Sequence, residues 1–230
     1  IRDHQWNNRE YHHRLFAIRA NIFQPIEMPE WGPPVSRLYK TGPAGGMDVG
    51  SDISQQIAAL EKFQPSFIVV HAGALTAMVT HWERHGLTLG NLRHIKNIGD
   101  TVSDELRDRV RALTGLEIED NYSSSETGAI AIRCADGGMY HIQSEALIVE
   151  ILDERGHPCA AGESGRVVVT DLWNWASPLI RYDLGDYAEV AEGPCTCGRP
   201  HPVLKRILGR ERNLFIRPDG SRFWPKAGMY

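Results

Sequence analysis

The chain has 230 residues, 42% of them hydrophobic and 23% charged, with a formal net charge of −4, which is ordinary for a globular protein. That charge gives no electrostatic reason to expect nucleic acid, and no apolar stretch approaches the roughly 20 residues needed to cross a bilayer. No signal peptide is seen at the start, and four cysteines, at 134, 159, 195 and 197, do not suggest a disulfide framework in a chain of this size; the reading is cytoplasmic, with those thiols reduced or metal-bound.

The first residue is Ile1 rather than Met, so the sequence is expected to be a piece of a longer chain. Residues 3–20 read as a helix, and 24–46 as a Pro/Gly-rich irregular stretch. "SDISQQIAALEKF" places apolar residues at 53, 57, 60 and 63, one face of a helix that Pro65 ends. "SFIVVHA" reads as a buried strand and "GALTAMVTHWERHG" as a helix stopped by Gly86. "LRHIKNIG" is a further strand. "SDELRDRVRALTG" is a helix with Ser103 as N-cap and Gly115 as stop, and "LEIEDNY" returns to strand. Strands alternating with helices of this length imply βαβ units and a parallel sheet.

The character changes near residue 128. From there to 217 short strands and turns dominate: "AIAIRC", "YHIQSEALIVEIL", "GRVVVTDL", "PLIRY", "AEVA", "VLKRILG" and "LFIR". The expected architecture is therefore α/β: a parallel-sheet subdomain over 1–127, then an antiparallel β-rich subdomain, a sheet or distorted barrel, over 128–217. Residues 218–230 would begin a linker.

Three segments at strand ends carry the polar residues. "NYSSSETGA", 121–129, gathers serines, a threonine, a glutamate and a glycine beyond a strand, where open α/β sheets bind ligands. Hydroxyls and backbone N–H groups suit phosphate oxygens, and Glu126 offers hard oxygens to Mg²⁺; a polar surface turn is the plainer alternative. "NIGDTVS", 97–103, and "RYDLGDY", 181–187, also leave strands through a glycine and an acid. Asp186 would then stand at a strand tip, placed for a ribose diol. "ILGRERN", 207–213, adds Arg210, whose fork suits phosphate or ribose oxygens.

The order "NIGD … NYSSSETG … RYDLGDY … LGRERN" resembles the adenylate-forming superfamily of acyl-CoA synthetases, and within it the phenylacetate–CoA ligase-like branch. The family's aromatic-Gly-x-Thr-Glu signature is similar to "YSSSE", with Ser123 for glycine and Ser125 for threonine. Its Tyr-Arg-Thr-Gly-Asp signature is similar to "YDLGD", which keeps Tyr182, Gly185 and Asp186. The resemblance runs from about residue 50 to 225. It implies Tyr122 against adenine, with Asn121, Ser123, Gly99 and Asp100 around the nucleotide. It further implies Glu126 on Mg²⁺ with Ser125 beside it as the reacting-site pair, Asp186 on ribose, and Arg210 near a hinge. "VVHAGAL" would bring His71, Ala72 and Gly73 to the carboxylate-substrate pocket. The implied chemistry activates a carboxylic acid, aryl by the branch's usual preference, with ATP to acyl-AMP, then transfers the acyl group to CoA.

Departures accompany the resemblance. The family's phosphate loop would precede residue 1, "YKTGPAGG" (39–46) reads as a surface or substrate-side loop, and the domain carrying the family's catalytic lysine would follow residue 230. In "GRERN" the family's hinge aspartate is replaced by Arg212 or Asn213. Two alternatives therefore stay open: transfer to an amine or carrier-protein thiol, and a non-catalytic, zinc-stabilised nucleotide-binding module. The partners expected are small molecules (acid, ATP, CoA); a homodimer stays open.

"PCTCGRP" spaces Cys195 and Cys197 so that an extended backbone turns both thiols to one side. Tetrahedral zinc needs two more ligands. A two-residue turn at Gly137-Gly138 would set Cys134 opposite His141, completing a structural Cys₃His site. Members of the phenylacetate–CoA ligase-like branch resemble this pattern. Buried reduced cysteines are the alternative, and His157 and His201 are further candidate ligands. His12 and His13 read as a solvated or packed surface pair, and His71 as either a core histidine or a pocket wall. Most of Trp173, Trp175 and Trp224 are expected to pack, and "ELRDRVR" reads as the wet face of a helix.

Overall fold

The computed structural model describes residues 1–219 and 222–224, so the expected linker segment 218–230 lies mostly outside the described residues. The chain divides into two units, Ile1–Asp120 and Asn121 onward. The division falls inside a strand, earlier than the sequence boundary at 127. No described helix is long and apolar enough to cross a membrane.

In the first unit the strands are β1 (Leu15–Ile18), β2 (Ile26–Met28), β3 (Ala44–Met47), β4 (Phe67–Val70), β5 (His94–Asn97) and the start of β6 (Ile118–Ser124), in the order β2-β3-β1-β4-β5-β6. All pairings are parallel except β2 with β3. The helices are α1 (Arg2–Trp6), α2 (Ile53–Phe63), α3 (Ala72–His85) and α4 (Asp104–Thr114). Their apolar faces and the strands form one core that includes Ile18, Leu60, Ile68, Leu75, Met78, Trp82, Ile95 and Ile118. The long helices end where the sequence says they should. Ser103 Oγ accepts from the Leu106 N–H at 3.2 Å, and Gly115 closes α4 in the left-handed region.

The N-terminal region departs from expectation. The helix expected over 3–20 stops at Trp6, and residues 15–18 form the strand β1. The reason is a tertiary ion network no local pattern announces. Arg9, almost wholly buried, reaches Asp3 at 2.7 Å and grips Glu119 through Nε at 2.6 Å. Lys96 Nζ meets Asp3 at 2.6 Å, and His94 Nδ1 meets Glu119 at 2.7 Å. Asn8 leaves the helix with φ 50°. "YKTGPAGG" also departs: its last residues enter β3, a fully buried strand rather than a loop, and Gly45 packs against the Phe16 ring.

In the second unit β6 continues antiparallel to β7 (Gly128–Arg133). The remaining strands are β8 (Tyr140–Ile142), β9 (Leu147–Leu152), β10 (Ser164–Asp171), β11 (Tyr182–Val190), β12 (Val203–Arg210), β13 (Phe215–Ile216) and β14 (Arg222–Phe223). From β6 the order is β6-β7-β8-β12-β11-β10-β9, with β13 and β14 a separate pair. All these pairings are antiparallel. Among the described residues this unit holds no α-helix, as the short turn-punctuated strands suggest. Its core includes Tyr122, Ile130, Val167, Val169, Leu184 and Leu204.

Here too one expectation is corrected. "PLIRY" is not a strand ending at Asp186: Ile180 is exposed, and β11 starts at Tyr182 and runs through the motif to Val190. Asp186 therefore sits inside a strand, not at its tip. It is aimed inward by a bulge: Arg166 pairs with Tyr187 while Val168 pairs with Asp183. Gly185 takes φ 68° there, a conformation that costs a side-chain-bearing residue energy.

Candidate functional site

In the second unit, three residues of the motifs meet. Tyr122, in β6, donates its hydroxyl proton to Asp186 Oδ2 at 2.7 Å. Arg210, paired in register with Asp186 across β11 and β12, places Nε 3.0 Å from Oδ1 and donates from Nη1 to the Leu184 carbonyl at 3.0 Å. Tyr122 and Asp186 are buried, while Arg210 keeps an exposed side chain. The Trp224 indole fixes the Arg210 carbonyl from Nε1 at 2.9 Å.

The electrostatics are uneven. Burial pushes the Asp186 carboxyl above the usual aspartate value, and the Tyr122 hydrogen bond and Arg210 only partly oppose it. Burial, with the Asp186 charge, also pushes the Tyr122 phenol well above its ordinary value, so it stays a neutral donor. An ionised carboxylate has about four acceptor sites, and the described residues use two of them here. Asp186 retains capacity for a diol.

The hairpin that follows is a three-residue turn. Ser125, Glu126 and Thr127 join β6 to β7, with Ser124 paired to Gly128. Ser124 Oγ accepts the Thr127 N–H at 3.2 Å. Glu126 is exposed, and its own backbone N–H, then Ser124, then Arg210 hold its carboxyl below the ordinary value. It is an ionised, open carboxylate, the kind Mg²⁺ uses together with substrate phosphates. Ser123 and Ser125 are exposed beside it; Asn121 is half-buried on β6.

The first unit holds the other predicted residues. His71 is the N-cap residue of α3, with Ala72 buried behind it and Gly73 facing open space. Its Nδ1 lies 3.6 Å from Asp100 Oδ2. Gly99 has φ 80°, and a Cβ there would stand 2.8 Å from the His71 ring; the loop lies flat on the imidazole because it has no side chain.

What holds that loop escaped sequence reasoning. Asn97 Nδ2 donates to the Asp100 carbonyl at 2.6 Å and to Asp120 Oδ1 at 3.1 Å. Arg107 in turn donates to Asp120 Oδ2 at 2.9 Å and to the Ile118 carbonyl at 3.0 Å. Arg107 belongs to the supposed wet face of α4 yet is buried. The available signal was the pairing of an arginine on a helix with an acid at the end of the following strand.

Cys134, His141, Cys195 and Cys197 come together, their ligand atoms all within 4.8 Å of one another. His141 Nε2 is 3.4 Å from Cys197 Sγ. Tetrahedral zinc with bonds of about 2.3 Å to sulfur and about 2.0 Å to nitrogen separates such atoms by about 3.5 Å, so the donor set fits. The local geometry differs from the simple hairpin: the Cys134 N–H donates to the Met139 carbonyl, and His141 stands opposite Ile132. Cys134 and Ile132 share a strand face, so the two ligands meet diagonally. Burial pushes the Cys195 thiol up; at Cys197 the Arg199 N–H and neighbouring thiols outweigh burial and pull it down. His157 instead stands exposed beside Asp153, and Trp173 and Trp175, expected to pack, are exposed.

No family model matches the chain. The phenylacetate-coenzyme A ligase of Thermus thermophilus is 25% identical over 189 residues, 78% of this chain and 42% of that protein. The enzyme of the same name from Pseudomonas putida is 27% identical over 175 residues, 73% and 39% of the two chains. The solved structure of a 2-hydroxyisobutyryl-CoA ligase holding an acyl-AMP superposes with a TM-score of 0.74 at 20% identity, over 96% of this chain and 48% of that one. The chain is similar in sequence to phenylacetate–CoA ligases. Its α/β fold matches that of solved acyl-CoA ligases, and it spans less than half the length of the curated relatives it matches.

Proposed function

We propose that this chain is the nucleotide- and acid-binding part of an ATP-dependent acid–CoA ligase. The buried Tyr122–Asp186–Arg210 cluster carries the reading: it pairs a neutral donor, a carboxylate with spare acceptor sites and an exposed guanidinium. In this reading Asp186 takes the ribose hydroxyls, and Tyr122, with Asn121 and Ser123, borders the base. Arg210 meets ribose or phosphate oxygens. Glu126, with Ser125 beside it, would hold Mg²⁺, which when bound neutralises phosphate charge. Within the first unit, His71, Ala72 and Gly73 would line an acid pocket, with Gly99 and Asp100 beside them.

The substrate carboxylate oxygen attacks the α-phosphorus of ATP, forming the acyl–phosphate bond as the bond to pyrophosphate breaks. The CoA thiolate then attacks the acyl carbon and AMP leaves. Such chemistry needs positioning and charge stabilisation more than a protein nucleophile, consistent with the absence of an obvious acid–base residue among those assigned. The acid is aryl and phenylacetate-like. Cys134, His141, Cys195 and Cys197 hold a structural zinc with no open position.

The test is carboxylate-dependent exchange of labelled pyrophosphate into ATP by the intact protein, with aryl and aliphatic acids compared. Exchange with aryl acids only is expected. No exchange with any acid, in a folded and zinc-replete sample, overturns the reading. Zinc is checked separately by metal analysis: one cysteine-dependent equivalent is expected, lost in the Cys195→Ser, Cys197→Ser double variant.

A further inference from the structure

The turn between α1 and β1 carries a second convergence of metal-binding side chains. His12 Nε2 lies 3.2 Å from Glu10 Oε2, and His13 Nε2 lies 3.3 Å from the same oxygen. All three ligand atoms fall within 4.8 Å of one another. These separations are long for charge-assisted hydrogen bonds, which run about 2.7–2.9 Å. They match ligands sharing one ion: bonds of about 2.1 Å at angles of 90–110° separate donor atoms by about 3.0–3.4 Å.

The turn is built rather than loose. The Trp31 indole donates to the His13 carbonyl at 2.8 Å, and the Gly42 N–H donates to the Tyr11 carbonyl at 2.8 Å. Gly42 lies so close that a Cβ would stand 2.1 Å from the His12 carbonyl oxygen. His13 reaches out from a mostly covered position, and His12 and Glu10 are open to solvent. An arriving ion therefore meets two imidazoles and a carboxylate already converging, with its remaining positions left to water.

We propose that Glu10, His12 and His13 form a binding site for a borderline divalent transition ion such as Ni²⁺ or Zn²⁺, separate from the thiolate cluster of the second unit. Two imidazoles and one carboxylate suit that class better than Ca²⁺ or Mg²⁺, which take oxygen ligands. The site does not depend on the proposed ligase activity.

The test is calorimetric titration with Ni²⁺ of the protein loaded with a single equivalent of zinc, which the thiolate cluster takes, followed by absorption spectroscopy. A single added site without sulfur-to-metal charge-transfer bands is expected. His12→Ala and Glu10→Gln, both at exposed positions, should each remove it. The half-buried His81 and exposed His85 rings of α3, 4.4 Å apart, are the competing site, so His85→Ala should leave Ni²⁺ binding unchanged. Retention of wild-type affinity in His12→Ala, its loss in His85→Ala, or thiolate bands on Ni²⁺ addition would each overturn the proposal.

Discussion

Asp3 in the first unit and Asp186 in the second are both largely buried carboxylates held by an arginine, yet their environments push them in opposite directions. Asp3 is closed by two cations, Arg9 at 2.7 Å and Lys96 at 2.6 Å. Burial alone would raise its carboxyl, but Arg9 and then Lys96 outweigh it and hold it far below the ordinary value. Asp186 has one half-exposed guanidinium and a neutral phenol, and burial wins. A fully compensated acid is part of the scaffold. An under-compensated acid is a charge that a ligand's donors would relieve, which is how binding sites differ from structural ion pairs.

The sharpest way to break that comparison is to remove the cation from the closed network. Arg9→Met leaves Asp3 and Glu119 without the guanidinium that joins them. Breaking a buried pair in this way costs about 3–5 kcal/mol, and urea unfolding should record it. A loss below about 0.5 kcal/mol, the scale of an ordinary surface substitution, would show that the network is not structural. In Asp186→Asn the expected pattern is reversed. Folding stability should hold or rise, because a charge that burial disfavours is gone. Pyrophosphate exchange by the intact protein should fall by the worth of a hydrogen bond to a charged group, about 1.5–3 kcal/mol or about 10- to 150-fold. A variant that unfolds but keeps its exchange would invert the assignment of roles.

The two units should also differ in acid. His4 lies beside the Asp3 network, and burial, with Arg9, lowers its imidazole to about 4. A group whose folded value is depressed adds stability above its unfolded value, here 6.5, and loses it as pH falls toward 4. Asp186 works the other way: its raised folded value makes the second unit lose stability as pH rises above the unfolded value of 3.8. Hydrogen exchange followed unit by unit between pH 7 and 4 should show protection falling first in residues 1–120. Uniform loss across both units would contradict the contrast.

Much of this organisation is legible from local pattern. α4 reads correctly because its cap serine, apolar spacing and terminal glycine agree, whereas the chain divides inside β6, ahead of the change in character that the sequence shows near residue 128. What is not legible depends on partners far away in sequence. Arg9 and Glu119 are 110 residues apart, and no periodicity could say that their union ends α1 early. Arg107 looks like one more charge on a polar helix face until Asp120 is placed beneath it. At Asp186 the motif is readable but its setting is not. A glycine between acids looks like punctuation after a strand, whereas the bulge keeps the strand running and turns the acid inward.

The smallest change probes the middle of the site. Tyr122→Phe keeps the ring and removes only the proton donated to Asp186 Oδ2. That hydrogen bond favours the ionised carboxylate, so its loss should raise the Asp186 carboxyl further, while Arg210 still limits the rise. The expected cost to exchange is that of one neutral donor, about 0.5–1.5 kcal/mol, or about 2- to 13-fold. Its signature should be a shift of the acidic limb of the exchange–pH profile to higher pH, because under the proposed function Asp186 must lose its proton before it can accept the ribose hydroxyls. A purely structural tyrosine would lower the rate equally at every pH. An unmoved acidic limb would separate Tyr122 from the chemistry of Asp186 and leave its ring, rather than its hydroxyl, as the part that matters.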